Sequence, residues 1–254
     1  MVEKSDVISA MEAIAPPYCM ESWDNCGVLV DGKDDVSDVT VMLDPTVDAI
    51  QSAKGDFIVS HHPLIFSPLS RIELDIKDKV ALLLKREQTF YAAHTSLDFA
   101  PRGVSWALAQ RIGLEEDEVS TPHMRTGKVA YDTLEEFVDF LEMQLHTPDI
   151  RVVSDTNRID RVAALPGSGF HEDVIEACAQ QGITTILSGD LKHHAALKGI
   201  DLGVTLIDAG HRETEIPGIE QCARELGHLV PDIDIDILYP AKPWHTYHYH
   251  DDVS

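Results

Sequence analysis

The sequence predicts an α/β protein, and three observations carry that expectation. Short runs of apolar and β-branched residues alternate with stretches of helical length. Glycine, proline or a change to acidic and polar texture punctuates them. Three of the strand-like runs end in histidine, aspartate or glutamate, at the place where open α/β sheets bind ligands.

Taken in order, an opening helix covers residues 5–15 and stops before Pro16-Pro17. The turn Trp23-Asp24-Asn25 leads into a strand at 27–30, and 39–43 forms the next. A helix over 46–54 precedes the strand 56–60. Residues 76–87 form an amphipathic helix, 89–93 a strand, and 104–112 a helix closed by Gly113, where a C-terminal glycine belongs. Segment 114–128 turns acidic and then polar, and marks the boundary between two packed lobes. Residues 1–122 then make the first lobe and 123–254 the second, whose last part packs back on the first. The second lobe begins with a strand at 128–131 and a helix at 134–145. Strands at 151–153 and 161–165 follow, the latter opening into Pro166-Gly167-Ser168-Gly169. Helix 171–181 ends at Gly182; strand 184–187 then runs into Ser188-Gly189-Asp190, and a helix near 192–198 comes next. Strand 204–207, a last helix over 216–227 and a half-exposed alternation at 233–237 complete the pattern.

Composition bounds the partners. There are 44 Asp and Glu against 20 Lys and Arg, a formal net charge of -24. Such charge repels itself in dilute buffer, whereas at molar salt the Debye length falls to about 3 Å and screens the repulsion. The acidity reads as adaptation to a salty cytoplasm, as in a halophilic microbe. It excludes a nucleic-acid partner, which needs clustered Lys and Arg. The opening residues lack a signal pattern, and no apolar stretch approaches membrane-spanning length, so a cytoplasmic protein without membrane association is expected. Cys19, Cys26, Cys178 and Cys222 form no C-x-x-C pair and read as reduced thiols.

The candidate site rests on strand ends. Ile58-Val59-Ser60-His61-His62-Pro63 ends an apolar run in two imidazoles, and neutral imidazole is the commonest metal ligand. Tyr91-Ala92-Ala93 runs into His94 and Asp98, and Leu206-Ile207-Asp208 into His211 and Glu215. Mixed imidazoles and carboxylates suit a first-row divalent ion such as Zn, Mn, Fe, Co or Ni. His211 and Glu215 either share a helical face, or His211 leaves the strand while Glu215 opens the last helix, since Pro217 argues against a long helix there. Asp190 either caps the following helix or faces the cleft, and His193 and His194 could exchange protons or orient a substrate. The Gly167–Gly169 turn either receives a phosphate or is a tight strand-to-helix connection. The tail from Trp244 to His250 alternates with histidine and is left out of the site.

Glu21-Ser22-Trp23-Asp24-Asn25-Cys26-Gly27, Ser60-His61-His62-Pro63-Leu64, His94-Thr95-Ser96-Leu97-Asp98, Gly167-Ser168-Gly169, Ser188-Gly189-Asp190-Leu191-Lys192-His193 and Asp208-Ala209-Gly210-His211 with Glu215 stand in a fixed order. That ordered set resembles the GTP cyclohydrolase 1 type 2 homologues, or NIF-three-like proteins, from about residue 5 to 240. The resemblance implies two α/β lobes with a dinuclear metal site in the cleft between them, commonly assembled as a homohexameric ring. It implies two divalent ions on His61, His62, Asp98, His211 and Glu215, with Asp98 and Glu215 spanning them and His94 close by. It also implies hydrolysis of a nucleotide such as GTP, with His94 or His193 moving protons. A non-catalytic metal-binding, regulatory or scaffold protein is the alternative. Cys26-Gly27-Val28 replaces a more aliphatic Gly-Leu ending, and Ser188 replaces the usual threonine; neither is a proposed ligand.

Overall fold

A computed structural model describes residues 1–239 and 241–244. The strands of the first half are β1 (Val2–Glu3), β2 (Gly27–Val30), β3 (Asp35–Val36), β4 (Asp38–Met42), β5 (Phe57–Ser60) and β6 (Thr89–Ala92). They are followed by β7 (Glu115–Glu116), β8 (Arg125–Lys128), β9 (Arg151–Val153), β10 (Val162–Ala164), β11 (Thr185–Ser188), β12 (Thr205–Asp208) and β13 (Asp234–Leu238). The helices are α1 (Lys4–Ile14), α2 (Val47–Ser52), α3 (Leu74–Lys85), α4 (Thr95–Asp98) and α5 (Val104–Arg111). After them come α6 (Leu134–Gln144), α7 (Glu172–Gln180), α8 (His193–Leu202) and α9 (His211–Leu229).

Two mixed sheets result. The first has the order β13-β4-β5-β6-β2, with only β2 antiparallel to its neighbour. The second has the order β7-β8-β10-β11-β12-β9, with β10, β11 and β12 parallel at its centre. Every residue of β5, β6, β11 and β12 is buried, which is why these strands read as continuous apolar runs instead of alternations. Helices cover both faces of each sheet. On the first, Met11 of α1 and Leu226 of α9 pack over Val39 and Phe57, while Ile50 and Leu83 pack over Ile58 and Phe90 on the other face. On the second, Leu108, Phe137 and Leu141 cover one face, and Ile175, Cys178 and Ala195 the other.

The longest helix ties the sheets together. α9 begins beside the end of β12 in the second sheet and buries Ile219, Cys222 and Leu226 in the first core. It starts five residues earlier than the proline suggests, so His211 and Glu215 share its opening turns. Pro217 removes one helical bond, to the carbonyl four residues back. Burial of the residues that follow holds the helix regular through that gap, and a Cβ on Gly218 would lie 2.8 Å from the Val104 Cα, so α5 and α9 touch backbone to backbone.

Two further boundaries differ by more than two residues. The strand expected at 128–131 lies at β8, because Val129 and Tyr131 belong to the core beyond the strand; Tyr131 packs on Phe137 and Phe140 at 5.8 and 4.9 Å between ring centroids. α8 continues to Leu202 and is closed by Gly203 in the left-handed region. Among the described residues no helix is long and apolar enough to cross a membrane.

Candidate metal centre

The parallel strands of the first sheet deliver three imidazoles by continuing their hydrogen-bond ladder one step beyond the strand ends. The His61 and His62 N–H groups donate to the carbonyls of Met42 and Leu43, both at 3.0 Å, and Ala93 N–H donates to Ser60 at 2.8 Å. Consecutive strand residues face opposite ways, yet here the backbone turns at Pro63 and the His61 and His62 rings lie 5.1 Å apart. His94 follows β6, and α4 carries Asp98 one turn later.

From the second sheet, Asp208 at the end of β12 accepts the Gly210 N–H, and Gly210 at φ +96 turns the chain so that α9 starts at His211. Two trios follow, His61 with His62 and His94, and His62 with His211 and Glu215; within each, one ligand atom per residue lies within 4.8 Å of the others. Glu215 lies between the halves. Its Oε1 is 3.7 Å from His61 Nε2, and its Oε2 is 3.5 Å from His62 Nε2 and 3.1 Å from His211 Nε2. Asp98 Oδ1 lies 3.6 Å from His61 Nε2.

Each imidazole is anchored by its other nitrogen. His61 Nδ1 donates to the Ala93 carbonyl at 2.9 Å, which orients the ring and makes Nε2 the nitrogen that carries the lone pair when the ring is neutral. His62 Nδ1 meets Asp44 at 2.7 Å, His94 Nδ1 meets Asp24 at 3.1 Å, and His211 Nδ1 meets Asp190 at 2.7 Å. Carboxylate or carbonyl behind each imidazole is the arrangement that orients metal-ligating histidines. Asp190 takes the left-handed conformation at φ 59 to reach His211, and Lys192, not Asp190, stands at the N-cap of α8.

The donor set fits divalent ions. His61 Nε2 is buried without a hydrogen-bond partner, 3.6 and 3.7 Å from the Asp98 and Glu215 carboxylates, an expensive state for a polar atom, and the buried Glu215 Oε2 has only the His211 and His62 imidazoles to face. Burial disfavours the His61 imidazolium, but Asp98 and Glu215 raise it to about 9. His211 is likewise raised to about 9 against burial by Glu215 and Asp190. Burial opposes the charge on Glu215, yet His211 and His61 hold it well below the usual carboxylate range. Asp98 is pushed up to about 6 by burial, against the pull of His61. Protons on His61 and His211 thus balance the carboxylates in the metal-free protein, the role that cations would take.

The structure therefore brings together His61, His62, His94, Asp98, His211 and Glu215. His193 stands apart, exposed at the start of α8 with no hydrogen bond to the cluster. The Gly167–Gly169 turn is a packing device. A Cβ on Gly167 would fall 2.4 Å from Glu215 Oε1, and the Gly167 and Gly169 N–H groups already donate to Thr214 and Ser188, at 2.9 and 2.8 Å. Cys26 donates its thiol to Asp24, and burial raises its pKa, the reverse of an activated thiolate. The histidines of the tail lie outside the described residues.

A family model described as Duf34/NIF3 (NGG1p interacting factor 3) matches residues 2–241. A protein of Nostoc named GTP cyclohydrolase 1 type 2 homolog is 34% identical over 244 residues, covering 89% of this chain and 91% of its own. One of Methanocaldococcus jannaschii with the same name is 29% identical over 245 residues, covering 93% and 98%. The solved structure of reduced HcgD from Methanocaldococcus jannaschii superposes with a TM-score of 0.84 at 28% identity, covering 93% of this chain and 98% of that one. With the family model spanning nearly the whole chain, the protein belongs to the Duf34/NIF3 family.

Proposed function

We propose that this chain is a divalent-metal-dependent hydrolase acting on a small nitrogen heterocycle, with a nucleotide such as GTP suggested by the names of its relatives. The observation that carries this reading is the placement of the ligand-type side chains. Asp98 and His211, with the buried Glu215 behind them, line an open cavity of about 460 Å³. A cavity of that size beside the ligand-type side chains leaves room for a small molecule.

In this reading two ions are held by His61, His62, Asp98, His211 and Glu215. Glu215, with Asp98, would be the carboxylate the ions share, since its two oxygens face different imidazoles. Bound in such a site, divalent ions lower the pKa of water and clamp the attacking and leaving atoms of a hydrolysis. His94 lines the same cavity. Its Nδ1 is tied to Asp24, so Nε2 can accept a proton from the attacking water and return it to the leaving nitrogen. Burial, reinforced by His61, lowers the His94 pKa and favours the neutral ring this requires. His193 does not line this cavity, so the proton role falls to His94, and self-association as a hexamer accompanies the reading.

The test is metal content together with GTP ring opening, in molar salt, for the wild type and a His61→Ala/Asp98→Ala variant. About two equivalents of metal and turnover that the variant abolishes are expected. Metal without turnover on GTP or related heterocycles would favour the metal-binding, non-catalytic alternative.

A further inference from the structure

The cavity above the cluster has an apolar wall and an acidic floor, and the combination says what enters it. Trp23, Phe99 and Pro166 supply the wall, Ser168 part of the rim, and Asp98 and Glu215 the floor. Trp23 is 57% exposed and stacks on Phe66, itself 50% exposed, with ring centroids 5.6 Å apart. Both rings stand edge-on to His94, at 6.1 and 5.7 Å. Large aromatic faces left open beside a polar centre are surfaces that gain by being covered.

The loop that carries Trp23 is tied down on both sides. Asn25 Nδ2 donates to the Ile65 carbonyl at 2.6 Å, which joins it to the segment bearing Phe66. Glu21 N–H donates to Thr95 Oγ1 at 3.0 Å, and the Asp24 carboxylate accepts the Thr95 N–H at 2.9 Å. The indole is therefore in place before any ligand arrives, which lowers the entropic cost of binding.

Charge narrows the ligand. Among the described residues, those lining this cavity include the carboxylates of Glu21, Asp98 and Glu215 and the imidazoles of His94, His171 and His211, but neither lysine nor arginine. Arg151 and Lys242 line a separate cavity on the other side of His211, where they pair with Asp208 and Glu213. A polyphosphate entering beside Trp23 would meet the Glu21 carboxylate and no lysine or arginine, with countercharge only at the floor where His211 and any bound ions lie, whereas an uncharged ring would meet an aromatic face and hydrogen-bonding groups.

We infer that Trp23 is the stacking wall for an uncharged planar nitrogen heterocycle, so that the ring itself, and not a phosphate chain, occupies the cavity over the cluster. The inference rests on the hydrolase reading for the purpose of the site, but concerns ring binding, which is measured separately. Stacking of a base on an aromatic side chain tolerates any ring with a π-face, so Trp23 positions the heterocycle while the polar groups select it.

The test is equilibrium dialysis with labelled guanosine in molar salt, on metal-loaded and metal-free wild type, Trp23→Leu and Trp23→Phe, with inorganic tripolyphosphate as competitor. Trp23→Leu should weaken guanosine binding about tenfold, Trp23→Phe by no more than about threefold, the scale of one lost or reduced base–aromatic stack. Metal content should be the same in all three proteins, and tripolyphosphate should not displace guanosine. The inference is overturned if the wild type fails to bind guanosine, if Trp23→Leu binds it as well as the wild type, or if tripolyphosphate displaces it. It is also overturned if Trp23→Leu changes only the oligomeric mass, which would make the aromatic pair a subunit contact. Absence of metal from the wild type would instead sink the hydrolase reading, and dialysis of the metal-free protein would still report on Trp23.

Discussion

The two halves of the metal centre are built by different means. His61, His62 and His94 stand at the ends of β5 and β6, where the His pair and Ala93 still belong to the sheet's hydrogen-bond ladder. His211 and Glu215 stand on the opening turns of one helix, whose N-cap glycine offers no side-chain cap. The His61 side chain is fully buried, whereas that of His211 is 29% exposed. The first half is thus fixed when the sheet folds. The second depends on how α9 docks against the first core and on the Asp190 carboxylate that aims His211.

Glu215 is where the halves meet, and its loss should have the largest effect. Glu215→Gln keeps the shape but removes the charge that faces His61, His62 and His211. Metal content measured by plasma mass spectrometry should fall from about two equivalents to well below one, because both positions lose their shared carboxylate. Retention of two tightly held ions would break the comparison by showing the halves to be independent.

Next in size is the contrast between two alanine variants of the metal-free protein. His61→Ala empties a fully buried position and should cost about 2–3 kcal/mol in denaturant unfolding. His211→Ala, at a partly exposed position, should cost about 1 kcal/mol or less. Both should lose metal. Equal stability losses would contradict the difference drawn here between sheet-fixed and helix-borne ligands.

The anchors come third. Asp44→Asn and Asp190→Asn alter the groups behind His62 and His211 without touching a ligand, and asparagine tolerates the left-handed backbone of position 190. Each should weaken metal binding about 10–100-fold in a competitive titration with a chelating dye, with the far-ultraviolet circular dichroism unchanged. An unaltered affinity would show the anchors to be incidental.

The smallest effect is one of pH. His61 and His211 are raised to about 9 in the metal-free protein, above the ordinary 6.5. Their stabilising contribution is complete below about 6.5 and is lost as pH rises through about 9. Metal uptake requires the neutral rings, so affinity should rise across the same interval while the metal-free melting temperature falls. Proton release on metal addition, followed at pH 7 in weak buffer, checks the sign; proton uptake would refute it.

Much of the centre was legible in the sequence because each ligand follows a short apolar run, and such runs become buried parallel strands. The His61-His62 pair, the His94 to Asp98 segment and the Asp208 to Glu215 segment could be placed on that ground. Their partners could not. Asp24 lies 70 residues from His94, Asp44 lies 18 from His62, and Asp190 lies 21 from His211. In a chain with 44 acidic residues, nothing local marks Asp24 or Asp44 as the partner of an imidazole, and Asp190, weighed for a place in the cleft, could not be tied to His211 in particular. Pro217 misled for a related reason. A proline suggests a helix boundary locally, but the boundary of α9 is set by its burial against the first core, a contact made over long range. The tight turn at Gly167 resembled a phosphate loop, and only the approach of Glu215 to its backbone reveals why glycine stands there.

The most direct test of the metal centre is an anomalous difference map of crystals grown with zinc in molar salt, from data collected on either side of the zinc edge. Two adjacent peaks are expected, one bounded by His62, His211 and Glu215 and the other by His61, Asp98 and Glu215. A map with no peak among these residues, or with zinc held only elsewhere on the chain, would contradict the assignment.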